Sequence, residues 1–279
     1  MTSLTTRATW SALSAARLRF RAEEAMARGL NPTRVEPVTL RSPAGYPLPA
    51  RIHLHANGRP GPSPAVLLCP GGLDGLDGGE GLSVVLGCQR LARAGFAAMC
   101  WSPSGREGAP GMEDRNGPLH QAEAAAAMRV LVQHPAVDPD RVVVLTISFG
   151  LMLGLAAAGA GVPVRGLIDW EGPPSRRWFV ASRLNLESRP ADDAFWTERE
   201  PVRSVGRLAV PYWRAQGSWD HVHGADTTLA LEMVDAARAA GVPDVRLNGR
   251  DSWSPPTLLP SSMRGQSAAM LRWVHELTR

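Results

Sequence analysis

The chain has no lysine. Its 30 basic residues are all arginine, set against 26 acidic ones, for a formal net charge of +4 over 279 residues. A phosphate-cradling loop closed by Gly-Lys-Ser/Thr is therefore excluded. The arginines are scattered, with no basic helix face and no aromatic-basic stripe, so no nucleic-acid partner is expected. No apolar run reaches the roughly 18 residues that span a bilayer, so no membrane partner is expected either. Residues Met1 to Asn31 lack the uninterrupted apolar stretch of a secretory leader. Cysteine is scarce: Cys69, Cys88 and Cys100 cannot all pair, and each falls in a segment that reads as core. Buried thiols in a reducing, cytoplasmic setting are the expectation. Neither Cys-x-x-Cys nor His-x-x-x-His spacing occurs, so no metal and no cofactor is expected.

What is present is enough apolar residue, 44%, for one substantial core. Residues 1–34 read as an N-terminal helical segment, with Trp10, Leu13, Leu18, Phe20 and Met26 on an amphipathic helix from Arg7 to Leu30. The stretches Val35 to Leu40 and Ala50 to His55 alternate as an antiparallel hairpin. From Ala65 onward, short continuously apolar strands alternate with helices: Ala65 to Cys69, a helix over Leu82 to Gly95, Phe96 to Trp101, a helix over Leu119 to His134, and the strand before Ser148. Strands at Val164–Trp170, Ala209–Gln216 and Asp244–Asn248 follow, with helices over Thr227–Ala240 and Ser262–Thr278. This pattern predicts an α/β fold over residues 35–279, a mostly parallel sheet with helices on both faces. Residues 173–205 are irregular and rich in Trp, Arg and Glu, and are read as an inserted lid.

Ligands of such sheets bind where the strands end, and three strand ends carry chemistry. Arg141 to Gly150 runs from strand-forming residues through Thr146-Ile-Ser-Phe-Gly150 into an apolar helix. That is the layout of a nucleophile elbow, with Ser148 at the corner and the Phe149 amide at a helix start, where it can face an oxyanion. Thr146 stands where glycine is usual. Cys69-Pro-Gly-Gly-Leu-Asp-Gly75 offers the Gly72 and Leu73 amides as further oxyanion donors. Gly217-Ser-Trp-Asp-His-Val222 supplies Asp220 as a candidate triad acid, and Glu171, past the strand ending at Trp170, competes with it.

With these motifs in this order, the chain from Ala65 to Arg279 resembles the α/β-hydrolase superfamily, especially its dienelactone-hydrolase and acyl-peptidase-like esterase branches. The resemblance implies Ser148 as nucleophile, Asp220 as acid, and Phe149 with Leu73 or Gly72 as oxyanion donors. It also implies a histidine after the last strand, where this chain has Leu247-Asn-Gly-Arg-Asp-Ser-Trp253 and none. His120, at the start of a helix on the active-site side, is the first substitute. His221 and His223 are next, although side chains adjacent in sequence usually point apart. Asp251 or Ser252 occupies the vacant place, and His53, His55, His134 and His275 read as structural or solvated. Trp170 and Trp219, with Trp101, Trp178, Trp196 and Trp253, suggest a pocket for an aromatic or extended apolar small molecule. Arg176, Arg177 and Arg250 could add an anionic contact. The expected activity is hydrolysis of an ester, thioester or lactone. The alternatives are the same fold used for C–C cleavage, a lyase or a cyclase, and a catalytically silent binding protein. A homodimer is compatible with the sequence.

Overall fold

The computed structural model describes residues 32–57, 61–81, 86–179, 192–252, 258–260 and 263–279. The helix expected over Arg7 to Leu30, Trp253 and the middle of the expected lid lie outside the described residues.

The predicted hairpin is present. Strands β1 (Thr33–Pro37) and β4 (Ala50–His55) pair antiparallel, Thr33 opposite His55 and Pro37 opposite Arg51. Its connection forms a second, smaller ladder of β2 (Leu40–Arg41) and β3 (Pro47–Leu48). The remaining strands are β5 (Ser63–Cys69), β6 (Ala97–Trp101), β7 (Val137–Ile147), β8 (Gly166–Trp170), β9 (Tyr212–Ala215) and β10 (Val245–Leu247). They assemble in the order β1-β4-β6-β5-β7-β8-β9-β10. Strand β4 is antiparallel to both its neighbours, and every pairing from β6 to β10 is parallel.

Their continuous hydrophobicity follows from burial on two faces. In β5 and β7, Leu67, Val142 and Val144 enter one core with Ala124, Met128 and Leu131 of α3 (Pro118–Val132), Leu151 of α4 (Leu151–Ala158), and Met233 and Val234. The alternating residues Val66, Leu68, Val143 and Leu145 enter the other, with Cys88 and Leu91 of α2 (Cys88–Arg93), and Met270 and Val274. Met233 and Val234 belong to α7 (Thr228–Ala239), and Met270 and Val274 to α8 (Met263–Leu277). Each interior strand residue thus has a helix to pack against, and polar alternation has no place there.

The remaining helices are short. Helix α1 (Leu76–Gly81) follows the glycine-rich loop, and α5 (Asp193–Thr197) and α6 (Pro201–Ser204) lie in the described part of the expected lid. Helix α2 starts at Cys88, later than the sequence pattern suggests, and β7 begins earlier, at Val137. Cys69, Cys88 and Cys100 are free and buried. No helix among the described residues is long and apolar enough to cross a membrane.

Candidate active site

Three adjacent parallel strands deliver the site. The register sets Ile147 of β7 beside Trp170 of β8, and Trp170 beside Ala215 of β9. The loops that follow, beginning at Ser148, Glu171 and Gln216, therefore leave the sheet at one edge.

Ser148 has a φ of 51°, a left-handed conformation that costs an L-residue on the order of 1–3 kcal/mol and persists where packing enforces it. The packing here is backbone on backbone. A Cβ on Gly150 would be driven into the carbonyls of Cys69 and Pro70, and one on Gly71 would lie 2.8 Å from the Ile147 carbonyl oxygen. Thr146 is accommodated from the opposite side, because its methyl group occupies the space where a Cβ on Gly154 of α4 would be. The departure from glycine at 146 is thus matched by a glycine one turn into the following helix.

The half-buried Ser148 hydroxyl lies 2.9 Å from Nε2 of His221. Nδ1 of the same ring donates to Oε2 of Glu171 at 2.8 Å. With the proton on Nδ1, Nε2 carries the lone pair that accepts from the serine. Glu171 is buried, has a φ of 50°, and receives the backbone N–H of His221 on Oε2 (3.2 Å) and that of Gly217 on Oε1 (2.8 Å). The Trp170 indole is stacked on the imidazole, 4.8 Å between centroids and 21° between planes. Its N–H is held by Gln266 of α8 at 2.7 Å.

Asp220 is buried, but its nearer oxygen is 3.9 Å from His221 Nδ1. Its Oδ1 accepts the backbone N–H groups of Val222 (2.8 Å) and His223 (2.9 Å), and its Oδ2 accepts from Gln216 Nε2 (3.0 Å). The carboxylate on the imidazole is therefore that of Glu171, and Asp220 secures the loop. Glu171, Asp220 and His221 place ligand-type atoms within 4.8 Å of one another. Each of the four carboxylate oxygens accepts at least one N–H.

His120 is corrected as well. Its Nδ1 faces the Asn116 amide and Arg106 Nη2, both at 3.3 Å, and its Nε2 donates to the Ser104 carbonyl at 2.9 Å. Burial, aided by the adjacent Arg106 guanidinium, holds its pKa below the ordinary imidazole value. Both nitrogens serve the loop after β6, and neither is the partner of Ser148. The loop does touch the elbow: Asn116 Nδ2 donates to the Phe149 carbonyl at 2.6 Å.

Two of the oxyanion candidates, Leu73 and Phe149, share one side-chain cluster. Gly72 has a φ of 60°, and the Asp74 N–H closes a turn onto the Gly71 carbonyl at 3.2 Å. The amides of Gly72 and Leu73 are left outside that turn bond. Leu73 packs with Phe149, Phe179, Phe195 and Trp196 in an aromatic cluster. Phe179 meets Phe149 edge-on at 5.4 Å and lies 5.0 Å from Trp196, so these two described residues of the segment read as a lid pack with the residue after Ser148. Trp178 is buried and donates to Glu232 of α7, which also holds Arg177. Trp219 is 59% exposed on the histidine loop. Asp251 is exposed beyond β10 and is not part of the serine–imidazole–carboxylate chain.

The imidazole that faces Ser148 is thus in the loop after β9, beside the residue chosen as acid, and the carboxylate bonded to it is the competing one after β8. Two signals pointed there: the acidic residue at the end of a buried strand, and the only histidines in the strand-end loops after the elbow.

No protein-family model matches this chain, and no curated protein matches it. Solved structures do. A protein assigned as a dienelactone hydrolase from Klebsiella pneumoniae superposes with a TM-score of 0.60 at 17% identity, over 88% of this chain and 100% of that one. A puromycin-hydrolyzing peptidase of Mycobacterium tuberculosis gives 0.64 at 18% identity, over 88% of this chain and 39% of that one. The acylaminoacyl peptidase of Pyrococcus horikoshii gives 0.61 at 13%, over 88% and 42%. The chain therefore spans the whole of the first protein and about two-fifths of each peptidase. Its fold is that of the α/β-hydrolases.

Proposed function

We propose that the chain is a serine hydrolase of small acyl compounds, with Ser148 as nucleophile, His221 as general base and Glu171 as the orienting acid. The observation that carries this reading is the unbroken path from the Ser148 hydroxyl to His221 Nε2, and from Nδ1 to Glu171, at an elbow serine with positive φ. The order of serine, acid and histidine along the chain is also that of α/β-hydrolase triads.

In this mechanism Ser148 Oγ attacks the substrate carbonyl while Nε2 takes its proton. Glu171 keeps Nδ1 protonated and stabilises the imidazolium that forms. The Phe149 amide, with that of Leu73 or Gly72, faces the tetrahedral oxyanion, which preorganised donors stabilise without further rearrangement. Nε2 then protonates the leaving group. A water activated by the same nitrogen releases the acyl group and restores the serine.

The rings of Phe149, Phe179 and Trp196 beside the elbow favour an ester, thioester or lactone with an apolar or aromatic acyl part. The test is labelling with a fluorophosphonate and turnover of a panel of p-nitrophenyl esters, acyl thioesters and aryl lactones. Wild type is expected to be labelled at Ser148 and to hydrolyse part of the panel. Ser148→Ala is expected to abolish both, and His221→Ala to lower kcat by about 10⁴-fold or more. Labelling at another residue, or a fully active His221→Ala, overturns the reading.

A further inference from the structure

Arg214 of β9 is fully buried and carries only hydrogen-bond donors. Its Nη1 donates to Asp169 Oδ2 (2.6 Å) and to the Gly172 carbonyl (2.8 Å). Asp169 Oδ1 in turn accepts the Gly172 N–H at 3.0 Å. The residue after Glu171 is therefore gripped at both its N–H and its C=O. Through Nη2, Arg214 also donates to Gln216 Oε1 at 2.9 Å. That contact fixes the Gln216 amide with its NH₂ toward Asp220 Oδ2. Asp220 Oδ1 then holds the Val222 and His223 amides, just past the histidine that faces Ser148. One guanidinium thus reaches both the acid turn and the histidine loop.

We propose that Arg214, Gln216 and Asp220 form a positioning relay that holds His221 in register with Glu171 and Ser148, and that Asp220 acts through its hydrogen bonds rather than its charge. The inference rests on the Ser148–His221–Glu171 reading above. The polarity of the relay is forced from one end. A guanidinium can only donate, so the Gln216 oxygen must face it, its NH₂ must face position 220, and position 220 must accept on both sides. An aspartate does so. An asparagine cannot, because its own NH₂ must meet either the Gln216 NH₂ or the loop amides, donor against donor.

The same logic designs the repair. In the double variant Gln216→Glu/Asp220→Asn, the carboxylate at 216 accepts from Arg214 and from the new amide at 220. The amide oxygen keeps the Val222 and His223 N–H groups. The number of charges is unchanged, but the negative one has moved from position 220 to position 216. A role for Asp220 through its charge on the imidazolium would not survive that move, whereas a role through hydrogen bonding would.

The experiment compares wild type, Asp220→Asn, Gln216→Glu and the double variant. It measures kcat and KM on p-nitrophenyl esters and the downfield proton resonance of His221 Nδ1–H, assigned by its absence in His221→Gln. Thermal melts establish that each variant is folded. Each single variant is expected to lose about 100-fold in kcat, the order that a 1 Å misplacement costs, with KM changed less and the resonance broadened or lost. The double variant is expected to regain at least about tenfold of that loss and the resonance. A double variant as impaired as Asp220→Asn, still lacking the resonance, overturns the proposal, as does an Asp220→Asn that keeps wild-type kcat and resonance. If a single variant is unfolded, the double variant against wild type decides by the same two readouts. The resonance separates this proposal from the hydrolase reading: if wild type turns over no ester while the resonance follows the cycle, the relay stands and the assigned activity fails.

Discussion

Glu171 and His221 meet twice. One carboxylate oxygen receives both the ring Nδ1–H, at 2.8 Å, and the backbone N–H of the same histidine, at 3.2 Å. The acid therefore fixes the imidazole's tautomer and the position of its Cα together. The other oxygen is taken by the Gly217 amide at 2.8 Å, so the carboxylate accepts along both edges and donates nothing.

A neutral amide cannot reproduce that pattern. In Glu171→Gln, the NH₂ group must face either Gly217 N–H or the histidine, and in both cases a donor opposes a donor. The expected result is a fall in kcat of about 10⁴-fold, the scale seen when a triad acid becomes its amide, with a folded protein by circular dichroism. Steady-state hydrolysis of an ester accepted by wild type measures it.

The match between Thr146 and Gly154 makes a stability prediction. Gly154→Ala places a methyl in the volume of the Thr146 methyl, and overpacking of this kind costs about 1–3 kcal/mol. Adding Thr146→Ser removes the obstructing methyl but keeps the hydroxyl that faces Asp169 at 3.4 Å. The double variant is expected to recover most of the lost stability, read as urea midpoints of the four proteins.

His120 makes the fold sensitive to acid. Its folded pKa lies below the ordinary value because it is buried beside Arg106. Below about pH 6.5, the ordinary imidazole value, the unfolded chain therefore binds a proton that the folded chain refuses. The stability from this group is complete above that pH and declines as pH falls below it. His120→Gln is expected to lose less stability than wild type between pH 7.5 and 5.5, compared by denaturant unfolding at both values. On the proposed function, its rate of ester hydrolysis at pH 7.5 is expected to stay far above that of His221→Ala.

Gly217 borders the acid directly. A Cβ there would lie 3.0 Å from Glu171 Oε1 and be driven into the Gln266 amide. Gly217→Ala is expected to lower kcat by at least about tenfold, because small displacements of a catalytic group are costly. KM is expected to change less, and initial rates over a range of ester concentrations separate the two.

The sheet was legible because burial on both faces leaves a plain mark, unbroken apolar strands such as Ala65 to Cys69 and Val142 to Leu145. The elbow was legible because Ser148 and Gly150 fall between such a strand and an apolar helix. The histidine was not. The rule that adjacent side chains diverge told against His221, and the divergence is real: Asp220 turns inward to its own loop while the His221 side chain keeps 26% of its surface exposed. What the rule could not supply was the other carboxylate. Glu171 reaches the ring only through the pairing of β8 with β9, a contact between residues 50 positions apart. Local pattern has no access to that. His120 misled for the converse reason, since an imidazole at the right end of the sheet can be wholly occupied by its own loop.

The indole lying flat against His221 has a further consequence. Flat contact between two rings resists rotation of either one out of their common plane. Stacked on the His221 ring at 4.8 Å and 21°, Trp170 limits the tilt of the imidazole on the face that Glu171 does not hold. Because Gln266 anchors that indole from α8, the last helix of the chain bears on the orientation of the imidazole through a single ring.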